Sequence, residues 1–346
     1  MSGRMADRED RAVDVVTGLL AHAGLSGRVR VAGDPTGRIL EALASNGMTG
    51  LAWERGPAGT AWPDDVVADA AILRMPKGRE ALRMALHAVA SRLHAGGRLL
   101  VYGANDEGVR SAGRTLEEAA CEVRTLETRR HCRVWTGQVD APEALRGGLD
   151  DWAAPCAGGT ARGPIEWVSF PGLFAHGHLD PATALLLADL PEPGPQTRVL
   201  DYGCGAGVIG AALARTRPDL AMHAIDPDPL ALEATRRNVP GVVTTAGTGL
   251  AALPAEARFD WIVSNPPIHS GREQHHDVVR NLCEGAPGRL RGHGRIWLVA
   301  QRTVPVGRWL ESGFERVEAH PASRSFTVWS GRRPRPGKAR RAGAWP

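Results

Sequence analysis

The chain has 346 residues, of which 43% are hydrophobic and 23% charged. This length suggests two domains, and the composition can fill two cores. There is no run of 18 or more apolar residues, and the first residues, MSGRMADREDRAVDVV, are charged. We therefore expect neither a membrane span nor a signal peptide. The five cysteines are scattered without a CxxC pair, which argues against a zinc site or a disulfide framework and favours a cytoplasmic protein with reduced thiols.

The positive charge is concentrated at the end of the sequence. The last sixteen residues, GRRPRPGKARRAGAWP, contain six basic residues and no acidic one, and the net charge of +4 becomes −2 when these six are left out. A basic arm suits a polyanion such as RNA, because each neutralised phosphate releases counterions. We predict a disordered basic tail over residues 331–346, and the simpler alternative is a solvated tail without a partner. The basic residues are Arg332, Arg333, Arg335, Lys338, Arg340 and Arg341.

The first half of the sequence alternates between helix and strand patterns. Strands alternating with helices of about 10–15 residues predict a parallel sheet, and we assign residues 1–136 to a first domain. Residues 137–164 are rich in Gly, Ala and Pro and lack periodicity, so we interpret them as a linker. The predicted strands are 28–32, 68–73 and 98–102, and the predicted helices are 11–23, 37–46, 80–93 and 108–120.

Residues 165–330 form a second run of elements. Their order fits a doubly wound sheet, and its similarity to the first half suggests a duplicated fold. The predicted fold class is therefore α/β, with two tandem Rossmann-like domains. The predicted strands are 198–202, 221–226, 242–245, 261–264, 294–300 and 326–330, and the predicted helices are 208–215, 230–238, 274–290 and 307–312.

A glycine-rich turn follows the first strand of this second domain, in RVLDYGCGAGVIGAALA. Gly203, Gly205 and Gly207 allow a sharp turn and let a ligand lie against bare backbone. Asp201, just before them, would repel a pyrophosphate but suits a cationic sulfonium and an amino-acid ammonium. The pattern therefore favours S-adenosylmethionine over a dinucleotide.

Two acids follow the next strand. Asp226 ends AMHAID about twenty residues after the glycine turn, where a carboxylate can accept hydrogen bonds from both ribose hydroxyls. Asp228 precedes LALEATRRN and is better interpreted as the N-cap of a helix.

An Asn-Pro-Pro turn follows a later strand, in FDWIVSNPPIHSG. Pro266 and Pro267 remove two N–H donors, which leaves backbone carbonyls and the side-chain oxygen of Asn265 as acceptors. Such a group of acceptors can hold the protons of an exocyclic amine while its nitrogen lone pair faces a methyl donor.

DYGCGAG and SNPPIH, with PGLFAHGHLDPATALLL ahead of them, resemble the small-subunit rRNA guanine-N2 methyltransferases and their large-subunit relatives. The resemblance covers nearly the whole chain and includes GANDEGVRSAGRTL in the first half. It implies a class I methyltransferase domain preceded by a degenerate domain of the same kind. Because adenine-N6 and glutamine-N5 enzymes share the NPP motif, the predicted substrate depends on the whole-chain similarity.

The resemblance also implies roles for individual residues. Phe174, Leu179 and Asp180 match the segment that closes over the cofactor, and His269 matches the histidine that follows the NPP turn. Asp201, Gly203, Gly205, Gly207 and Asp226 match cofactor-binding positions, and Asn265, Pro266 and Pro267 match the catalytic turn. Ile268 stands where an aromatic residue is usual. Because base–aromatic stacking is worth about 1–3 kcal/mol, the substrate base would be held less firmly or by another ring.

The first domain shows no DxGxG and no NPP pattern. Its loop GANDEG follows a strand without an acid at the strand end, so we expect structural support and RNA binding there rather than catalysis. No His, Cys and acid spacing indicates a metal site. The candidate phosphate contacts are Lys77, Arg79, Arg110, Arg129 and Arg130.

The sequence therefore predicts transfer of a methyl group from S-adenosylmethionine to the exocyclic N2 amine of a guanine in ribosomal RNA or a ribosomal subunit. One alternative is a methyltransferase acting on adenine-N6, a small molecule or a protein glutamine. The other is an RNA-binding assembly factor with little turnover.

Overall fold

The computed structural model describes residues 2–34, 36–266 and 272–335 and contains two compact units, residues 2–153 and residues from 154 onward. Each unit is an α/β structure built on one main sheet. The elements of the first unit are α1 (Ser2–Thr17), β1 (Arg28–Ala32), α2 (Arg38–Ser45), β2 (Thr49–Trp53), β3 (Ala68–Arg74), α3 (Arg79–Ala90), β4 (Leu93–Ala104), α4 (Ala112–Leu116), β5 (Cys121–Arg129) and β6 (Cys132–Val139).

The sheet of the first unit has six strands in the order β2-β1-β3-β4-β6-β5. The first four are parallel, and β6 pairs antiparallel with both β4 and β5. Parallel strands that are covered on both faces have nearly continuous runs of apolar residues in their sequence. The central strand β3 shows this, because Ala68 and the residues from Ala70 to Leu73 are buried.

The second unit contains the predicted methyltransferase domain. A separate hairpin, β7 and β8, precedes its main sheet. Its elements are β7 (Ala154–Thr160), β8 (Gly163–Ser169), α5 (Pro181–Asp189), β9 (Arg198–Tyr202), α6 (Val208–Thr216), β10 (Ala221–Asp226), α7 (Pro229–Asn238), β11 (Val243–Ala246), β12 (Phe259–Ser264), α8 (Arg272–Gly285), β13 (Leu290–Gln301), α9 (Val306–Glu311), β14 (Phe314–Pro321) and β15 (Phe326–Pro334).

The main sheet of the second unit has seven strands in the order β11-β10-β9-β12-β13-β15-β14. The strands from β11 to β13 are parallel, and β15 pairs antiparallel with β13 and β14. The chain passes from β9 to β10 and β11 on one side and then returns to β12 on the other. Ligands of open α/β sheets bind outside the carboxyl ends of the strands at such a reversal.

The two sheets share one topology, which confirms the predicted duplication. If β1 is matched to β9, then β2, β3, β4, β5 and β6 match β10, β12, β13, β14 and β15, with the same neighbours and directions. Among the residues that the structure describes, the first sheet has no counterpart of the edge strand β11.

The predicted linker was wrong, because residues 137–164 contain the end of β6, all of β7 and the start of β8. The boundary between the units lies at residue 153. The segment APCAGGT of β7 is poor in β-branched and aromatic residues. Its pairing with β8, and not its own propensity, makes it a strand.

The hairpin of β5 and β6 was not predicted either, and the predicted helix 108–120 is in fact one short 3-10 turn, Val109–Ser111, followed by the five-residue α4. The edge strand β5 is largely exposed, so it lacks an apolar alternation. Its turn has Arg130 and His131 at φ of 52° and 61°, where type I′ turns usually have Asn or Gly. The β2, β14 and α5 elements also had no predicted counterpart.

The predicted tail begins later than expected. Residues Gly331–Pro334 continue β15 and pair with β13 and β14, and Arg332 forms an ion pair with Glu318. Residues 336–346 lie outside the described residues, so the disordered basic arm stays a prediction for them. Within the described part of the chain, no helix combines the length and the apolar character that a membrane crossing requires.

Candidate active site

The glycine turn between β9 and α6 has a backbone conformation that favours glycine. Gly203, Gly205 and Gly207 have φ values of 70°, 54° and 74°, which side chains other than glycine rarely adopt. A Cβ on Gly207 would also lie 2.9 to 3.1 Å from atoms of Thr235 on α7. The predicted glycines are therefore required by the backbone itself.

Hydrogen bonds from neighbouring elements hold this turn in place. The N–H of Gly203 donates to the carbonyl of Ile225 on β10 at 2.8 Å. The side chain of Asn238, at the end of α7, donates to the carbonyls of Ala206 and Val168, each at 2.7 Å. The turn is thus fixed before a ligand arrives, which reduces the ordering cost of binding.

Asp226 lies where the sequence placed it, at the carboxyl end of β10. One carboxylate oxygen accepts from the N–H of Gly205 at 3.0 Å and the other from the N–H of Asp228 at 2.9 Å. These two bonds fix the orientation of the Asp226 carboxylate in the wall of the cavity. Asp228 caps α7, as predicted, by accepting from the N–H of Leu230.

Asp201 is buried inside the unit, with an exposed fraction of 1%, and is not among the residues that line the cavity at this edge. Neither carboxylate oxygen has a hydrogen-bond partner among the described residues. Burial, reinforced by the negative charge of Asp226, raises the pKa of Asp201 to about 7, and the nearby backbone of Gly210 only partly opposes this shift. Asp201 is therefore buried behind the cavity wall, and its predicted role toward the cofactor stays a prediction.

Asn265 follows β12 and is held by α5. Its side-chain nitrogen donates to the carboxylate of Asp180 and to the hydroxyl of Thr183, both at 2.8 Å. A carboxylate can only accept, so this contact determines the orientation of the amide. The nitrogen is engaged, and Oδ1 is left as the atom that can accept a hydrogen bond from a ligand.

Asp180 has a second contact that explains its position. It is the N-cap of α5 and accepts from the N–H of Thr183 at 2.8 Å. The helix thus presents Asp180 and Thr183 to Asn265 as one rigid unit. Ser264 donates to the carbonyl of Tyr202 at 2.7 Å and ties the ends of β12 and β9 together.

A cavity of about 280 Å³ joins these groups at the carboxyl edge of the sheet. Asp180 and Asp226 line it, and no Lys or Arg is among the described residues in its wall. Such a wall suits a cationic ligand and disfavours a phosphate. The lining residues are Trp167, Phe174, Ala175, His178, Asp180, Thr183, Gly203, Cys204, Gly205, Ala206, Val208, Ile209, Asp226, Asn265 and Pro266.

Several lining residues were not predicted from the sequence, and three of them, Trp167, His178 and Thr183, have side chains able to contact a ligand. Trp167 lines it although it is buried, and tryptophan at a strand position is usually a packing residue. Thr183 and His178 lie on either side of the predicted Asp180 and carry no motif of their own. Only the N-cap pattern of Asp180 followed by Pro181 could have indicated that Thr183 faces the site.

Some predicted residues lie outside the described part of the chain, namely Pro267, Ile268 and His269. Their roles stay predictions. Phe174, predicted to close over the cofactor, lines the cavity and is 51% exposed. His276 lies edge-on to Trp309, with ring centroids 6.0 Å apart. In the described ranges, no three His, Cys, Asp or Glu side chains are grouped closely enough for a metal ion.

Two domain families match the chain. The family described as methyltransferase small domain matches residues 164–330, and the family described as methyltransferase small domain N-terminal matches residues 44–155. The ribosomal RNA small subunit methyltransferase C of Ectopseudomonas mendocina is 38% identical over 76% of this chain and 79% of that protein.

The chain belongs to the ribosomal RNA small subunit methyltransferase C family. The enzyme of the same name from Pseudomonas entomophila is 37% identical over 77% of this chain and 79% of that protein. A solved structure of a 16S rRNA N2 methyltransferase from T. thermophilus, in complex with AdoMet and guanosine, has a TM-score of 0.76, 22% identity and 92% coverage of both chains. This likeness confirms the two-domain Rossmann-like fold that the sequence predicted.

The candidate phosphate contacts of the first unit fall into two groups. Arg110 and Arg130 line one cavity of about 560 Å³ together with Arg11, and Arg130 also pairs with Asp14 at 3.2 Å. Lys77 and Arg79 lie at the start of α3, and Arg79 pairs with Glu118 at 3.0 Å. Arg129 ends β5 next to the first group. Their contact with RNA stays a prediction.

Proposed function

We propose that this family member transfers the methyl group of S-adenosylmethionine to the exocyclic N2 amine of a guanine in ribosomal RNA, at the cavity of the second unit. The observation that carries this proposal is the oriented amide of Asn265 in the wall that Asp180 and Asp226 make acidic. The names of the relatives support the class of acceptor.

The residues present fit this cofactor. We assign its ribose to Asp226 and its amino-acid part to the glycine turn from Gly203 to Gly207, with Phe174 beside it. Asp201 contributes favourable charge from below, since a cation above it stabilises its ionised form. When bound, the cofactor supplies an electrophilic methyl group next to Asn265.

Asn265 would orient the acceptor. We assign the acceptance of one amine proton to its Oδ1 and of the other to the carbonyl of Pro266, which also lines the cavity. The amine lone pair is then directed into the cavity, and most of the rate acceleration comes from this positioning. The new C–N bond would form as the methyl–sulfur bond breaks and the sulfur leaves as a neutral thioether. The methylated amine would be acidic and would lose its proton to water, so no strong general base is required. The guanine must first leave any base stack, which costs about a few kcal/mol.

The experiment that tests the proposal is tritium transfer from labelled S-adenosylmethionine to ribosomal subunits and free rRNA, followed by nucleoside analysis. We expect N2-methylguanosine. N6-methyladenosine, or label in protein or in a small molecule, would show that the enzyme is a methyltransferase with a different acceptor from the one proposed. Cofactor binding without transfer to any of these would support the assembly-factor alternative.

The Asn265→Ala substitution tests the central residue. We expect kcat to fall at least about 100-fold, because the amine is no longer oriented in the transition state, while the Kd for S-adenosylmethionine changes less than about threefold. The exposed amide variant Asn46→Ala on the first unit is the control and should transfer at the wild-type rate. Transfer at the wild-type rate by Asn265→Ala would remove Asn265 from the mechanism.

A further inference from the structure

The first unit has a cavity of about 350 Å³ at the edge of its sheet that corresponds to the active-site edge of the second. The strand registers allow the two units to be compared residue by residue. Ala32 of β1 is opposite Trp53 of β2 and Leu73 of β3. Tyr202 of β9 takes the place of Ala32 in the second sheet, and it is opposite Ile225 of β10.

The described residues of the turn after β1, namely Gly33, Asp34, Thr36 and Gly37, are the counterpart of the glycine turn GCGAG after β9. Gly33 and Gly37 have φ values of 79° and 71°, close to those of Gly203 and Gly207. The N–H of Gly33 donates to the carbonyl of Trp53 at 3.2 Å, as that of Gly203 does to Ile225. The loop GANDEG follows β4, the counterpart of β13, so it lies at a different place in the fold from the glycine turn.

Glu54 occupies the position that Asp226 has in the second unit. It follows the last residue of β2 and accepts a hydrogen bond from the N–H of Asp34 in the turn, just as Asp226 accepts from Gly205. Glu54 also lines the cavity. An acid at the end of this strand is placed to accept hydrogen bonds from ribose hydroxyls.

The charges around this cavity differ from those of the active site. Val31 stands at the position of Asp201, and Arg74 stands at that of Asn265, as the strand registers show. Arg74 and Arg55 both line the cavity, and Arg74 pairs with Glu107 at 2.8 Å. A wall with two arginines disfavours a sulfonium and accepts a neutral or anionic ligand.

One side of the cavity is apolar and shaped by α3. Ala81, Met84 and Ala85 lie at spacings of three and four residues, so they share one helix face. The two alanines leave space between α3 and the strand ends. A volume of this size lies at the lower end of the range of about 300–1,000 Å³ for small-molecule sites, and an apolar wall beside an acid suits a base joined to a ribose.

We propose that this cavity of the first unit binds a nucleoside, with its ribose on Glu54 and its base against α3, and that it does not bind S-adenosylmethionine. The nucleoside comes either as a free molecule or as an unpaired nucleotide of RNA. The inference does not depend on which acceptor the second unit methylates.

Equilibrium dialysis of the full chain tests the free form. The protein is first saturated with S-adenosylhomocysteine, which fills the cofactor cavity of the second unit, and radiolabelled adenosine, guanosine, cytidine and uridine are then tested one by one. We expect at least one of them to bind at one molecule per chain. Labelled S-adenosylmethionine without competitor should bind at one molecule per chain, not two.

A second arm tests RNA as the source. A short single-stranded RNA with 4-thiouridine or 6-thioguanosine is crosslinked to the protein by light, and the labelled peptides are identified. We expect crosslinks within residues 53–56 or 73–85. Binding of free nucleosides or these crosslinks supports the proposal and identifies the source.

Variants place the binding in this cavity. Glu54→Gln and Ala85→Met should each weaken nucleoside binding or crosslinking at least tenfold, by removing the carboxylate and by filling the space beside α3. The controls are Glu41→Gln on α2 and Ala52→Met on β2, both at exposed positions of the same unit, and neither should change binding. Asn265→Ala should not change it either, which separates this site from the acceptor site.

Three results would overturn the inference. One is the absence of both binding and crosslinking in the wild-type chain. Another is binding that persists unchanged in folded Glu54→Gln and Ala85→Met. The third concerns the case in which thermal melts show that both variants are unfolded. The crosslinks of the wild-type chain are then decisive, and crosslinks found only outside residues 53–56 and 73–85 would reject the site.

Discussion

Asp180 has two contacts whose effects can be separated. Its carboxylate caps α5 through the N–H of Thr183 and holds the amide of Asn265. The sequence predicted a cofactor-binding role for Asp180 by resemblance, and that role stays a prediction. Its bond to Asn265 could not be predicted, because the two residues are 85 positions apart and only the fold brings α5 to the end of β12.

We predict that Asp180→Ser lowers kcat for methyl transfer about tenfold or more and leaves the thermal midpoint nearly unchanged. Serine is a good N-cap, so the helix keeps its cap. The shorter side chain removes the carboxylate acceptor of the Asn265 amide and leaves the Thr183 hydroxyl, which can also donate and therefore holds the amide less firmly. Steady-state kinetics and thermal melts measure both quantities.

The matched variant is Asp180→Ala, which removes both contacts. It should lose activity to a similar extent and also about 1 kcal/mol of stability. Wild-type kcat in Asp180→Ser would show that the bond to Asn265 does not position the amide.

Asp201 makes stability depend on pH. Its pKa rises to about 7 in the folded chain because burial penalises the charged carboxylate. The folded state therefore holds a proton that the unfolded state has already lost between about pH 4 and pH 7. The free energy of unfolding should therefore fall as the pH rises through this window and stay constant above it. For a pKa shift of about three units, the total fall is up to about 4 kcal/mol.

We predict that Asp201→Asn removes this pH dependence, because the amide carries no charge at any pH in the window. Urea unfolding of the wild type and of Asp201→Asn at pH 5 and pH 8, in the absence of cofactor, measures the free energy of unfolding of each. The stability advantage of Asp201→Asn over the wild type should be larger at pH 8. If the advantage were the same at both pH values, Asp201 would not be protonated in the folded chain.

At the level of elements, the turn between β9 and α6 is predictable from sequence because its glycines are required by the backbone. Their individual importance depends on packing. Gly207 faces Thr235 of α7, whereas a Cβ on Gly205 would meet no atom of the described residues within 4 Å. The same residue type in the same turn therefore carries different constraints.

We predict that Gly207→Ala destabilises the chain more than Gly205→Ala. Both alanines would have positive φ, which costs about 1–2 kcal/mol, but only the first would also push against Thr235, which adds about 1–3 kcal/mol. Thermal midpoints rank the two variants. Equal midpoints would mean that α7 moves away at little cost.

The elements that the sequence missed have a common cause. The strands β5 and β14 lie at the edges of their sheets and are largely exposed, so no apolar period marks them. Antiparallel pairing with β6 and β15 makes them strands. The buried strands β9 and β10 were predicted at their observed bounds, because burial on both faces requires continuous apolar residues.

For the whole molecule, the basic residues beyond the last strand matter if the enzyme binds RNA through its charge. The strand β15 ends at Pro334, so removal of residues 336–346 should leave the fold intact. Lys338, Arg340 and Arg341 would be lost with them.

We predict that this deletion weakens binding to rRNA and makes the binding less sensitive to salt. The magnitude of the negative slope of log K, the association constant, against log salt concentration should fall by up to about 2 if each of the three charges neutralises one phosphate of single-stranded RNA. Filter binding at several salt concentrations measures the slope. The full-length variant with glutamine at these three positions is the control and should behave like the deletion. An unchanged slope would leave the tail as a solvated segment.

The sequence alone determined the fold class, the cofactor turn and the family, because these depend on local requirements: glycines where φ is positive, apolar runs where strands are buried, and prolines that remove donors. The tertiary structure alone decided the environment of each polar group. Burial made Asp201 a shifted acid beneath the site, α5 oriented Asn265, and strand register placed Glu54 and Arg74 beside a second cavity. These properties arise from contacts between residues far apart in the chain, which no local pattern records.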